Sequence, residues 1–251
     1  MKIVHFNYKN LENLYGYYDI DKNGIWLITQ GKLSKELIPF NEVKILPVSI
    51  PTKIIAVGLN YKDHADEMDV KVPEEPIIFM KPSTSVIGHK EKIILPKISK
   101  RVDYEGELAV VIGKKCKNIE PEEVEDYILG YTCFNDVTAR DLQAKDVQYT
   151  RAKSFDTFAP LGPWIENEVD PTNLEIKTYL NDRVVQHSNT KNMVFDAFFL
   201  VSYISRIMTL LPGDIIATGT PSGVGPMQNG DVVKVEIEGI GTLENYAVSE
   251  W

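Results

Sequence analysis

Short apolar runs separated by clusters of turn-forming residues dominate the chain. Near its start, Tyr15 to Asp21 and Ile25 to Gln30 are β-prone, and Asp21-Lys22-Asn23-Gly24 between them carries a hairpin turn signal. Pro47 and Pro51 bracket a boundary, so residues 1–50 read as a small strand-rich domain and 51–251 as the main one. Next, Lys53 to Gly58 predicts a buried strand, Asn60 to Met68 a polar helical turn, and Val72 to Pro76 a surface loop. Further strands are expected at Ile77 to Met80, Ile93 to Leu95, Glu107 to Ile112, Tyr131 to Phe134 and Ile176 to Leu180. The same pattern returns at Ile215 to Thr218, Val232 to Ile237 and Leu243 to Val248, with Gly239-Ile240-Gly241 joining the last two as a tight hairpin.

Two segments read as helices. Glu122 to Ile128 follows Pro121, a residue suited to a first helical turn. Asp196 to Leu210 carries Phe199, Tyr203 and Ile207 at i, i+4 and i+8, a stripe expected to face the core, and Pro212-Gly213 ends it. Many strands with few helices predict a β-dominated α+β fold.

Composition narrows the partners. A net charge of −9 argues against nucleic acid, whose backbone calls for a basic face. A small anionic substrate stays open, because a metal ion and a few cations can reverse the field locally. Cys116 and Cys133 make no disulfide framework and suit a reducing compartment. Met1 to Tyr8 has no apolar signal core, and Val194 to Leu211 is broken by Asp196 and Arg206. The expectation is a soluble cytoplasmic protein without a membrane partner.

The sharpest chemistry lies in Asp103-Tyr104-Glu105-Gly106-Glu107. On a strand, Glu105 and Glu107 share a face, and paired carboxylates repel unless a cation or a proton sits between them. Gly106 leaves the intervening face bare for something bulky. Asp136 adds a third carboxylate. An all-oxygen set favours Mg²⁺, Mn²⁺ or Ca²⁺ over Zn²⁺, although Glu-x-Glu alone also fits a solvated strand face.

His64 and Glu67, three apart, would share a face of a helical turn, where the carboxylate could orient the imidazole for proton transfer. An exposed polar turn is the bland alternative. His5, His89 and His187 fit no comparable constellation. Lys153 could polarise a carbonyl or stabilise an enolate, or be an ordinary surface lysine. The glycine-rich Thr218 to Gly225 lacks the Gly-Lys-Ser/Thr ending of a phosphate loop, so it reads as a tight turn or a close approach to a ligand.

The order of these blocks says more than any one of them. Gly58-Leu59-Asn60-Tyr61 with His64 and Glu67, then Asp103 to Leu108, Asn135 to Gln143, Lys153 to Thr157, Leu211 to Asp214 and Thr218 to Pro221 together resemble the fumarylacetoacetate hydrolase family from about Ile54 to Trp251. The resemblance implies a mixed β-sandwich roll with a small N-terminal domain, assembled as a homodimer. It implies that Glu105, Glu107 and Asp136 ligate Mg²⁺ or Mn²⁺, with waters completing the octahedron. By position, His64 and Glu67 look like the family's proton-transfer dyad on a lid segment, and Lys153 like its catalytic lysine. Arg140 and Gln143 match positions that hold the substrate or its oxyanion, and Thr220 a substrate-contacting threonine. Larger members add a fourth carboxylate ahead of the histidine; Val57 to Asn60 offers none, so the chain resembles the shorter acylpyruvase and 2-hydroxyhepta-2,4-diene-1,7-dioate isomerase branch.

A 2-oxo acid offers its carboxylate and keto oxygen as a chelate to a hard cation. The first expectation is therefore C–C hydrolysis of an acylpyruvate-type substrate through an enolate. The second is an isomerase, decarboxylase or tautomerase of 2-hydroxyhepta-2,4-diene-1,7-dioate-type diacids or oxaloacetate, with Lys81 and Arg151 as candidate cations for a second carboxylate. A third is a β-domain that has kept only the shape.

Overall fold

The computed structural model describes residues 1–67, 69 and 71–251. Met68, the end of the expected helical turn, lies outside them. The fold is strand-dominated α+β, with the strands of the described residues in three sheets.

The largest sheet runs, in order, through Lys32–Pro39, Gly24–Thr29, Leu11–Asp19, Lys2–Tyr8, Ala159–Glu166, Ile128–Asn135, Gly106–Ile112, Ile215–Ala217, Ile54–Gly58 and Ile77–Lys81. Gly106–Ile112 is buried along its whole length between Ile128–Asn135 and Ile215–Ala217. Its side chains alternate between two cores, as strand geometry requires. Leu108, Val110 and Ile112 enter one core with Ile176, Val235, Ile237 and Leu243 of the five-stranded sheet. Ala109 and Val111 enter the other, with Ile54, Ala56, Phe134, Leu161 and Ile215. The N-terminal strands gather around Val4, Phe6 and Ile25 and join the sheet where Lys2 and Ile3 pair with Glu166 and Ile165. The turn at Asn23, with its positive φ, closes the predicted hairpin.

Two predicted elements differ. Pro121–Asp126 is a 3-10 helix, closed by a capping box between Glu120 and Glu123, and Ile128 already belongs to the next strand. The helix Ala197–Ile207 forms on its Asp196 cap, but Ala197, Leu200, Val201 and Ile204 face the core. Phe199 and Ile207 are exposed. The segment carries two apolar stripes, and the aliphatic one is the better fit to the crowded interior.

Cys116 and Cys133 are free and buried. Among the described residues, no helix is long and apolar enough to cross a membrane.

Candidate active site

One backbone run, Val102 to Ile112, passes from the three-stranded sheet into the twelve-stranded one, with Glu105 at the joint. Gly106 pairs with Asn135, which sets Asp136 beside Glu105: the Asp136 amide donates to the Glu105 carbonyl at 2.8 Å, and the Glu105 amide to Asn135 Oδ1 at 2.9 Å. Carboxylate oxygens of Glu105, Glu107 and Asp136 thereby come within 4.8 Å of one another, all three residues buried. That spacing suits an octahedral oxygen site for a hard divalent cation.

Cations already crowd the cluster. Lys153 donates to Glu105 Oε2 at 2.8 Å and Asp136 Oδ2 at 2.7 Å. Lys81, fully buried, grips Asp136 Oδ1 and donates to the Val137 carbonyl at 3.1 Å. Arg140 holds Glu105 Oε1, Asp103 Oδ2 at 2.9 Å and Gln143 Oε1 at 2.6 Å. The consequences for charge are unequal. Burial pushes the Glu105 carboxyl up, yet Lys153 and Arg140 more than offset it and hold it at about 2. Burial, aided by repulsion from Asp136 and Glu105, pushes Glu107 well above the usual carboxylate range; its Oε2 is answered by the Gly219 amide at 2.9 Å. Glu107 is thus the member of the triad most in need of a further positive charge. Burial lowers Lys153, but Asp136 and Glu105 raise it above its ordinary value. For Lys81 burial wins, and its ammonium is held below the ordinary lysine value.

The helix Lys62–Glu67 brings His64 Nδ1 to 3.2 Å from Glu67 Oε2. The Glu67 carboxylate also accepts from the Gly223 amide at 3.1–3.2 Å, tying the helix to the glycine-rich loop. That loop is a tight turn: Gly219 and Gly223 have positive φ. Thr220 donates to the Gly106 carbonyl and accepts from Gln186, each at 2.9 Å.

A cavity of about 600 Å³ lies between these walls. The nine residues expected as metal ligands, proton-transfer groups or substrate contacts line it: His64, Glu67, Glu105, Glu107, Asp136, Arg140, Gln143, Lys153 and Thr220. Arg151 does not line it; its guanidinium lies outside, on Asp146 at 2.6–2.8 Å. Lys81 is committed to Asp136 rather than to open space. The face left bare by Gly106 is filled from within the protein: a Cβ there would sit 2.1 Å from Thr178 Oγ1. Gln186 was not visible in the sequence, which marks the strand Arg183–Asn189 only weakly; its Oε1 accepts from the Gly106 amide at 3.0 Å. Phe79, Arg101 and Tyr149, also lining the cavity, carry no motif of their own.

Residues 53–248 match the family described as fumarylacetoacetate (FAA) hydrolase C-terminal. The chain belongs to the fumarylacetoacetate hydrolase family. It is similar over its full length to a 5-carboxymethyl-2-hydroxymuconate delta-isomerase from Mycobacterium smegmatis, at 43% identity and a TM-score of 0.93, with 100% of each chain covered. Oxaloacetate tautomerase Fahd2a, mitochondrial, of Rattus norvegicus is 47% identical over 224 residues, 84% of this chain and 72% of that protein. A maleylpyruvate hydrolase from Sphingobium sp. SYK-6, solved with manganese(II) and pyruvate, is 29% identical at a TM-score of 0.84, with 100% of each chain covered. Isomerases, hydrolases and tautomerases thus share this fold, and the chain is an enzyme of that group.

Proposed function

We propose that the protein is a divalent-cation-dependent enzyme that moves a proton on a small 2-oxo diacid, interconverting its keto and enol forms. One observation carries this reading: a single cavity is lined by the buried carboxylate triad, by Lys153 and by the hydrogen-bonded His64–Glu67 pair. The likeness to an isomerase and a tautomerase supports it.

Glu105, Glu107 and Asp136 would hold the cation, with Mg²⁺ or Mn²⁺ matching the oxygen donors. Such an ion supplies Lewis acidity toward the 2-oxo carboxylate. The remaining work falls to side chains of the chain itself. Glu67 accepts a hydrogen bond from the Nδ1–H of His64 and so would present Nε2 as the base that takes the proton from C3. Lys153 would stabilise the negative charge that develops on the keto oxygen, and the proton taken up by His64 is returned to that oxygen through solvent, which gives the enol and restores His64. Gln143 accepts from Arg140 through its carbonyl, so its amide N–H groups are left to donate to the substrate carboxylate, and Thr220 walls the same space.

Hydrolysis of an acylpyruvate-type C–C bond is the second reading, favoured by the likeness to a maleylpyruvate hydrolase. There His64 would deprotonate an attacking water instead.

The discriminating experiment is proton NMR in D₂O with Mn²⁺ at trace level, against an EDTA control. Washout of the C3 protons of oxaloacetate faster than the uncatalysed rate, suppressed by EDTA, supports proton transfer. Acetate and pyruvate from acetylpyruvate, without accelerated washout, would replace it by the hydrolase. Inertness toward both, with cation bound, would overturn the two readings together.

A further inference from the structure

The cavity has a second polar feature, joined to the triad through Asp103 and Arg140. Arg101 lines it, with a side chain half exposed to solvent. Its guanidinium is not loose. Nε donates to Asp103 Oδ1 at 2.8 Å and Nη2 to Asp103 Oδ2 at 3.1 Å. Asp103 is itself fully buried and accepts from Arg140 Nε on the same Oδ2. One buried carboxylate therefore fixes two guanidinium groups, and charge alternates outward in the order Glu105, Arg140, Asp103, Arg101.

The two arginines differ in what they have left to give. Arg140 uses three of its five N–H donors, one on each nitrogen, to Asp103, Gln143 and Glu105, and its side chain is 25% exposed. Arg101 uses two of the five N–H donors of a guanidinium. Lys153 is occupied by Glu105 and Asp136. Of the two cavity-lining arginines, Arg101 keeps more free N–H donors, three against two, and is the more exposed, at 50% against 25%. A planar fork with free N–H groups, held rigid from behind, is built to take a carboxylate. About 600 Å³ is also more space than a pyruvate-sized head needs, which leaves room for a second arm reaching toward the rim.

We propose that Arg101 binds the distal carboxylate of a 2-oxo diacid and sets a preference for diacids over otherwise equal monoacids. This rests on the reading above, in which the triad end receives the 2-oxo head. Lys81 and Arg151, the cations offered from the sequence for this role, are engaged by Asp136 and Asp146.

The test compares each diacid with a twin in which a methyl group replaces the distal carboxylate: oxaloacetate with 2-oxobutanoate, and 2-oxoglutarate with 2-oxopentanoate. Binding to the Mn²⁺-loaded protein is measured by calorimetry for wild type, Arg101→Gln and Arg101→Lys. In wild type, at least one diacid is expected to bind roughly tenfold or more tightly than its twin, the size typical of a charge-assisted pair. Arg101→Gln should bring that ratio to about two, and Arg101→Lys, which keeps the charge and loses the fork, should fall between. Equal weakening of both twins in Arg101→Gln would overturn the proposal and make Arg101 a support for Asp103 and Arg140. An unchanged ratio would overturn it outright. A wild type that binds both twins alike refutes Arg101 while leaving the head-group reading in place. A wild type that binds none refutes the head-group reading and this assignment with it.

Discussion

Two residues apart in the chain, Glu105 at the joint between two strands and Glu107 inside the second, the two carboxylates live in opposite surroundings. Glu105 is answered by Lys153 and Arg140, whereas Glu107 has one backbone amide and is pushed up by burial and by its neighbours. Glu105→Gln removes a charge that two cations rely on. Mn²⁺ affinity should fall at least about tenfold by calorimetry, and urea unfolding should show a loss of about 1–3 kcal/mol, the usual cost of stripping a partner from a buried polar group. His64→Ala should act differently: turnover should drop by about 10²–10³, the scale of a lost general base, with Mn²⁺ affinity within threefold of wild type. Equal losses in both measurements would mark His64 as a structural residue. These residues were legible because they recur in ordered blocks. Lys81 was legible as a cation but not in its place. Only the pairing of Ile77–Lys81 with Ile54–Gly58 at the edge of the sheet brings its ammonium to Asp136, and no spacing in the chain encodes that.

At the level of elements, hydrophobic periodicity found most strands but could not choose between faces. In Ala197–Ile207 both Leu200-Ile204 and Phe199-Tyr203 have helical spacing; the aliphatic pair is fully buried, while Phe199 is exposed and stacks on the partly buried Phe195 and Tyr203 at centroid distances of 5.3 and 6.0 Å. Ala159–Glu166 was silent for another reason. Its Ala-Pro-Leu-Gly-Pro sequence reads as a loop, yet it lies inside the large sheet, between Lys2–Tyr8 and Ile128–Asn135. Tertiary pairing overrides local propensity there. At Gly106 two sheets meet closely, with Thr178, Gln186 and Val235 of the five-stranded sheet pressed against it. Gly106→Ala should cost about 1–3 kcal/mol through overpacking and should weaken Mn²⁺ binding, since Glu105 and Glu107 flank it. Urea titration and calorimetry on the same variant check both; a neutral result would mean that Thr178 can rotate away without moving the triad.

For the molecule as a whole, acid sensitivity has an identifiable contributor away from the cavity. Burial, helped by Lys90, pushes His89 down from 6.5 to about 4, and its Nδ1 accepts from the Glu244 amide at 3.1 Å. The folded state holds this ring neutral, while the unfolded chain takes up a proton as pH falls through 6.5. The stability His89 contributes is therefore fully present above about 6.5 and lost progressively down to about 4. His89→Gln should flatten the dependence of the melting temperature on pH within that window, read by calorimetry; an unchanged slope would assign the acid limb to other groups. A different consequence follows from Glu105 standing where the chain crosses from one sheet to another. The triad, its lysines and the Gly219 amide come from segments far apart in sequence, so no partly folded chain holds them together. Closing such long loops is slow and comes late in folding. On the function proposed above, tight uptake of a divalent cation would then be a property of the finished molecule, and the ion, arriving last, would act as a lock on the completed chain rather than as a seed for its collapse.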